Sequence, residues 1–223
     1  MKRFNKKNNI LMVLITLLFW GCDQKTTQQS RVTRLPYYNE ASFKPHWLEA
    51  NDKKLRNFHK VSPFKLTNQD GKIVTEKTFE GKIYVADFFF TTCPGICPIM
   101  TKNMAVLQDE FSGDSEVLLL SHSVTPEKDQ VSILKTYAKR KGVESGKWHL
   151  VTGTKQGIYK LGRQDYFVEE DLGEANTNEE DFLHTENFIL VDRNRHIRGV
   201  YNGLNKTSIK QLIADIKTLK KEK

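Results

Sequence analysis

Two cysteines, Cys93 and Cys97, frame the stretch Thr91-Thr92-Cys93-Pro94-Gly95-Ile96-Cys97-Pro98. Thiols at this spacing can close a disulfide, exchange with another disulfide or bind a soft metal. A disulfide between them would close a very short loop and add little as a staple, so the pair's value is chemical. An apolar run, Ile83 to Phe90, comes directly before, and the amphipathic stretch Met100 to Phe111 directly after. That order reads as strand, tight loop and helix, with the thiols at the junction. A helix N-terminus favours the thiolate over the thiol. Proline suits the first helical position, so Pro98 predicts Cys97 as the N-cap and leaves Cys93 in the loop. Met100, Met104, Leu107 and Phe111 fall at helical spacing and are expected to pack in the core rather than form a methionine copper site.

Soft thiolates select copper(I) or zinc, but two of them leave a metal under-coordinated. The imidazole candidates are His46, His59, His122, His149, His184 and His196. His46 and His59 lie in a poorly patterned region and are expected to face solvent. His184 stands out, because it sits between a long polar loop and the apolar stretch Phe188-Ile189-Leu190-Val191. A loop in that place can carry a side chain towards the thiols.

The elements that must position these groups follow in order. Phe64 to Thr67 and Lys72 to Val74 flank Asn68-Gln69-Asp70-Gly71, a hairpin signal. A second turn is expected at 78–82. The strand 83–90 is nearly all apolar, as for a central strand buried on both faces. A further strand spans 116–123, a helix 127–141, a short strand 148–151 and a short helix 155–161. Residues 163–182 are polar and acidic and read as a loop or insertion. A hairpin is expected for 188–191 and 196–201, across Asp192-Arg193-Asn194-Arg195, and a closing helix for 207–219. The expected fold class is α/β: a thioredoxin-like three-layer domain with an N-terminal β-hairpin. Strand ends that feed helices build the site in such sheets.

The chain has 223 residues and a formal net charge of +8. The first 22 residues hold four basic residues and no acid, which leaves +4 for the remainder. The excess gathers at the C-terminal end, 217–223, as a solvated helix end. No interleaved basic-aromatic stripe is present, so nucleic acid is not an expected partner. Ile10 to Trp20 is an eleven-residue apolar stretch after a basic start, and Gly21-Cys22 ends it. This leader resembles a bacterial lipoprotein signal peptide, which implies cleavage before Cys22 and its lipidation. An uncleaved anchor and an ordinary secretory signal are the alternatives. All three place the protein in the cell envelope, outside the cytoplasm. The expected division is therefore a signal peptide at 1–22, a tether and irregular extension at 23–59, and one domain at 60–223.

The cysteine motif, His184-Thr185, the stretch Phe188 to Asp192 and Arg198-Gly199-Val200-Tyr201-Asn202-Gly203 together resemble the SCO/SenC family over about residues 60–221. The resemblance implies a thioredoxin-like, membrane-attached protein that binds copper through Cys93, Cys97 and His184. It implies a metallochaperone for the binuclear copper centre of cytochrome c oxidase, with subunit II or another copper acceptor as partner. The chain departs from the family at Ser123-Val124-Thr125-Pro126, where Thr125 replaces the usual aspartate. His122, close by, is a further group that could approach the metal.

A second reading stays open. The same thiols in an oxidising compartment fit a thiol–disulfide oxidoreductase, with Cys93 and Cys97 as the redox pair, that keeps a copper acceptor's cysteines reduced. Disulfide formation and copper binding compete for the same sulfurs. A peroxidase reading is weaker, since the loop 91–98 holds no activating arginine.

Overall fold

The computed structural model describes residues 29–168 and 185–222. Seven strands form one sheet in the order β2-β1-β5-β4-β3-β6-β7. They are β1 (Lys65–Asn68), β2 (Ile73–Thr75), β3 (Ile83–Phe89), β4 (Val117–Ser123), β5 (Trp148–Thr152), β6 (Asn187–Val191) and β7 (Ile197–Asn202). The helices are α1 (Cys97–Glu110), α2 (Val131–Lys141), α3 (Lys155–Lys160) and α4 (Lys206–Leu219). β3, β4 and β5 run parallel to their neighbours in that group, while β1 with β2, β1 with β5, β3 with β6 and β6 with β7 pair antiparallel. The order is the expected hairpin, alternating strands and helices, second hairpin and final helix.

β3 is central and every residue in it is buried. Its side chains alternate between two apolar layers. Ile83, Val85 and Phe89 join Met100, Met104 and Leu107 of α1, Leu134 and Tyr137 of α2, and Ile209, Leu212 and Ile216 of α4. Tyr84, Ala86 and Phe88 join Phe64, Phe79, Ile158 and Tyr166 on the other side. Both methionines are fully buried core residues.

Three boundaries differ from the sequence expectation. Helix α1 starts at Cys97, with Ile96 as its cap and without a side-chain cap bond. Pro98 therefore sits second in the helix, still among the residues whose N–H has no intrahelical acceptor. Cys97 is in the first turn, not the cap. Helix α2 starts at Val131 rather than 127, because the N–H groups of Lys128 and Asp129 both donate to the Thr125 carbonyl and close a separate turn. The polar stretch after α3 begins with a π-helical turn, Leu161–Asp165, and Asp165, Tyr166 and Val168 are buried. Residues 169–184 lie outside the described residues, as does the leader.

The segment ahead of residue 60 is packed over its described part. Leu35 and Tyr37 are buried, and Tyr37 forms a bridge with His46. Arg198 of β7, 2% exposed, donates to the carbonyls of Leu35 and Pro36 and pairs with Asp192 and Glu222. Its guanidinium lies 3.8 Å from the centre of the Tyr37 ring. Among the described residues, no helix is long and apolar enough to cross a membrane.

Candidate metal centre

Strand β3 delivers the chain to the site, and α1 leads it away. Cys93 is half-buried in the connecting loop and Cys97 is buried in the first helical turn; both are free thiols. They are hydrogen-bonded to one another. A cavity of about 320 Å³ opens over them, walled by Phe88, Phe89, Phe90, Ile96 and Val124. The walls are mostly apolar, so a ligand held there meets the sulfurs with little competing water. Thr185 completes the lining.

The two thiols are tuned in opposite directions. Partial burial pushes Cys93 up, but hydrogen bonds from the Cys97 N–H and thiol and from the N–H groups of Gly95 and Ile96 outweigh it, and its pKa falls below the usual thiol value. Burial pushes Cys97 up to about 12; a hydrogen bond from the Phe90 backbone opposes this, and Cys93 adds to it. The loop thiol is thus the readily ionised one and the helix thiol keeps its proton.

A polar chain lies beneath them. On β3, Asp87 follows the alternation of the layer that contains Cys97, and it is 2% exposed. The Ser121 hydroxyl donates to Asp87, and the Trp148 indole N–H donates to Ser121 at 2.8 Å. Burial raises the Asp87 carboxyl to about 7, with the Ser121 bond opposing. The sequence carries a signal for this residue: a lone acid inside an apolar strand must have a buried partner.

The histidines separate cleanly. His122 is fully buried and stacks on Phe88, 4.7 Å between centres, with Tyr166 and Phe64 around it. Phe88 lies between its ring and the cavity wall, and among the described residues His122 forms no metal-holding group with Cys93 and Cys97. Burial lowers its pKa to about 4, opposed by a contact with the Asp87 carbonyl, and its Nε2 has no hydrogen-bond partner. His59 and His46 are half-buried rather than fully solvent-facing. His59 Nε2 lies 2.7 Å from the Asp165 carbonyl and its ring leans on Phe167, while His46 meets Phe58 edge-on. His149 accepts from Asn68 at 3.1 Å, and His196 donates to the His59 carbonyl at 2.9 Å. All of these are structural contacts away from the thiols. His184 lies outside the described residues, immediately before the cavity-lining Thr185. Among the described residues, no group of three or more His, Cys, Asp or Glu is placed to hold a metal.

The SCO1/SenC family model matches residues 52–221. The chain belongs to the SCO1/SenC family. A solved SCO1/SenC family lipoprotein from Bacillus anthracis is 33% identical, with a TM-score of 0.64, over 73% of this chain and 96% of the other. BsSco, described as a member of the Sco family of cytochrome c oxidase assembly proteins with a disulfide switch, is 30% identical with a TM-score of 0.62, over 74% and 95% of the two chains. ScoI of Bradyrhizobium japonicum, solved with copper bound, is 26% identical with a TM-score of 0.56, over 72% and 99%. These likenesses agree with the thioredoxin-like α/β architecture read from the sequence.

Proposed function

We propose that this SCO1/SenC protein is a copper carrier that takes its cargo on Cys93, Cys97 and His184. It delivers the copper to an acceptor, the binuclear centre of cytochrome c oxidase in subunit II. The observation that carries the reading is the shared cavity: both thiols line it, and so does Thr185, the residue next to His184. Two sulfurs and one imidazole suit copper(I) and accept copper(II) with added ligands. The Bradyrhizobium relative solved with copper bound and the oxidase-assembly description of BsSco support it.

The chain's own residues divide the work. Cys93 ionises first and offers the initial thiolate, because loop N–H groups favour its charge. Cys97 gives up its proton only as metal binds, since burial holds the thiol form. The apolar walls keep competing donors out. The ligands come from a loop, a helix end and the approach to β6, so they can be exchanged one at a time for those of an acceptor. The leader, with Cys22 as the lipidated residue, holds the carrier at the outer side of a membrane in this reading. The Bacillus anthracis lipoprotein supports that placement.

The test is copper(I) titration of the reduced full-length chain in detergent beside its His184→Ala variant. Tight one-to-one binding that weakens at least tenfold in the variant is expected; equal binding removes His184 from the ligand set. The opposed acidities of Cys93 and Cys97 favour a second reading, thiol–disulfide exchange on a copper acceptor, and the disulfide switch of BsSco supports it. Reductase turnover that survives His184→Ala alongside weak copper binding would select it.

A further inference from the structure

Thr91 opens the loop that carries both thiols, and it is held by a buried acid from another element. Its backbone N–H donates to Asp129 Oδ2 at 3.1 Å and its hydroxyl to Oδ1 at 2.5 Å. The Ser123 hydroxyl donates to Oδ2 at 2.6 Å and the Thr125 hydroxyl to the same oxygen at 3.0 Å. Asp129 is 1% exposed, so these four neutral donors replace its water. Asp129 closes the turn between β4 and α2, and a backbone bond from Val124 N–H to the Phe89 carbonyl, 2.9 Å, joins the same two strand ends. Val124 and Phe89 both wall the thiol cavity.

We propose that Asp129 is the positioning residue of the thiol loop, clamping Thr91 against the end of β4, and that Thr125 is fitted to it as a hydroxyl donor. The departure at 125 then has a physical meaning. A carboxylate there would set acceptor oxygens against the Asp129 carboxyl where a hydroxyl now donates. Asp129, four residues further on, turns its carboxyl to Thr91 of the loop. Asp129 touches neither thiol in this scheme; it acts through Thr91.

The test reads the thiols themselves, so it does not rest on the proposed carrier function. The full-length chain in detergent is equilibrated with reduced and oxidised glutathione. The Cys93 and Cys97 thiols pass two protons and two electrons to oxidised glutathione, giving a protein disulfide and two reduced glutathiones. The parent is compared with Thr125→Ser, Thr125→Asp, Asp129→Asn, Thr91→Val and the double variant Thr125→Asp with Asp129→Asn. Thr125→Ser should match the parent. Thr125→Asp, Asp129→Asn and Thr91→Val should each shift the equilibrium constant threefold or more, and the double variant should recover most of the Thr125→Asp shift by pairing the carboxylate with an amide. Ile158→Val, a core truncation in the opposite layer, lowers Tm and should leave the constant unchanged. A Thr125→Asp chain that folds and matches the parent overturns the proposal, and so does an Ile158→Val shift as large as that of Asp129→Asn. Should Thr125→Asp fail to fold, Thr91→Val decides by the same threefold criterion. Shifts in the thiol equilibrium in a chain whose parent binds no copper would uphold the clamp and end the carrier reading.

Discussion

The Cys97 thiol is hydrogen-bonded to Cys93, yet the two side chains are driven apart in acidity, Cys93 below its usual value and Cys97 up to about 12. The cause is position. Cys93 lies in a loop whose N–H groups converge on its sulfur, whereas Cys97 is sealed under the first turn of α1. Alkylation of the reduced protein should therefore be fast and selective. Mass mapping after a short pulse of iodoacetamide at pH 7.5 should find label on Cys93 at least tenfold above Cys97. Equal labelling would show that the loop donors do not favour the Cys93 thiolate.

Asp87 makes stability depend on pH in an unusual sense. Its folded pKa, about 7, lies above the ordinary carboxyl value of 3.8, so the folded state holds a proton that the unfolded chain has released. Stability relative to an unshifted acid is full below pH 4 and is lost as pH rises towards 7. Asp87→Asn removes the titration while keeping an acceptor for Ser121. Urea melts of the two proteins should give a difference in favour of the variant that grows from about pH 4 to pH 7, reaching a few kcal/mol at most. A difference that is flat across that range would mean that Asp87 is ionised in the fold.

The contrast between the buried acids Asp87 and Asp129 and the thiols shows what the sequence made legible. The junction of strand, loop and helix was readable because its signals are local: the run 83–90, the pair of thiols and Pro98 stand side by side. Cys97 as the first helical residue was missed by one position, since proline is tolerated throughout the first turn. The polar contacts were not readable. Asp87 meets Ser121 thirty-four residues away, and Asp129 meets Thr91 thirty-eight residues away. His59 looked solvent-facing because its acceptor, the Asp165 carbonyl, is 106 residues distant. Periodicity reports which face of an element is apolar; it does not report which loop comes to lie beside it.

His122 tests whether the opposite layer plays any part in metal binding. Its folded pKa, about 4, is below the ordinary 6.5, so the unfolded state takes up a proton first as pH falls. The penalty is absent above pH 6.5 and grows as pH drops towards 4. His122→Phe keeps the stack on Phe88 and removes the titration. The variant should bind copper(I) like the parent and lose less stability between pH 6.5 and 4. A tenfold loss of copper affinity in a folded His122→Phe chain would bring His122 back as a ligand.

Arg198 joins the Leu35–Pro36 segment to Glu222, and its geometry allows little substitution. Its guanidinium serves two carboxylates, Asp192 and Glu222, two carbonyls, those of Leu35 and Pro36, and the face of Tyr37. Lysine carries the charge but lacks the planar fork, so it cannot reach both carbonyls and both acids from one place. Methionine fills the space but leaves Asp192 buried without its cation. Removing one partner of a buried ion pair costs roughly 3–5 kcal/mol, and Arg198→Met should approach that range in a denaturant melt. Arg198→Lys should fall between the variant and the parent. Because the cluster also holds the Leu35 and Tyr37 segment, limited proteolysis of Arg198→Met should cut first within 29–59, before the sheet is attacked. Cleavage elsewhere first, with that segment still protected, would show that the buried Leu35 and Tyr37 side chains hold it without the arginine.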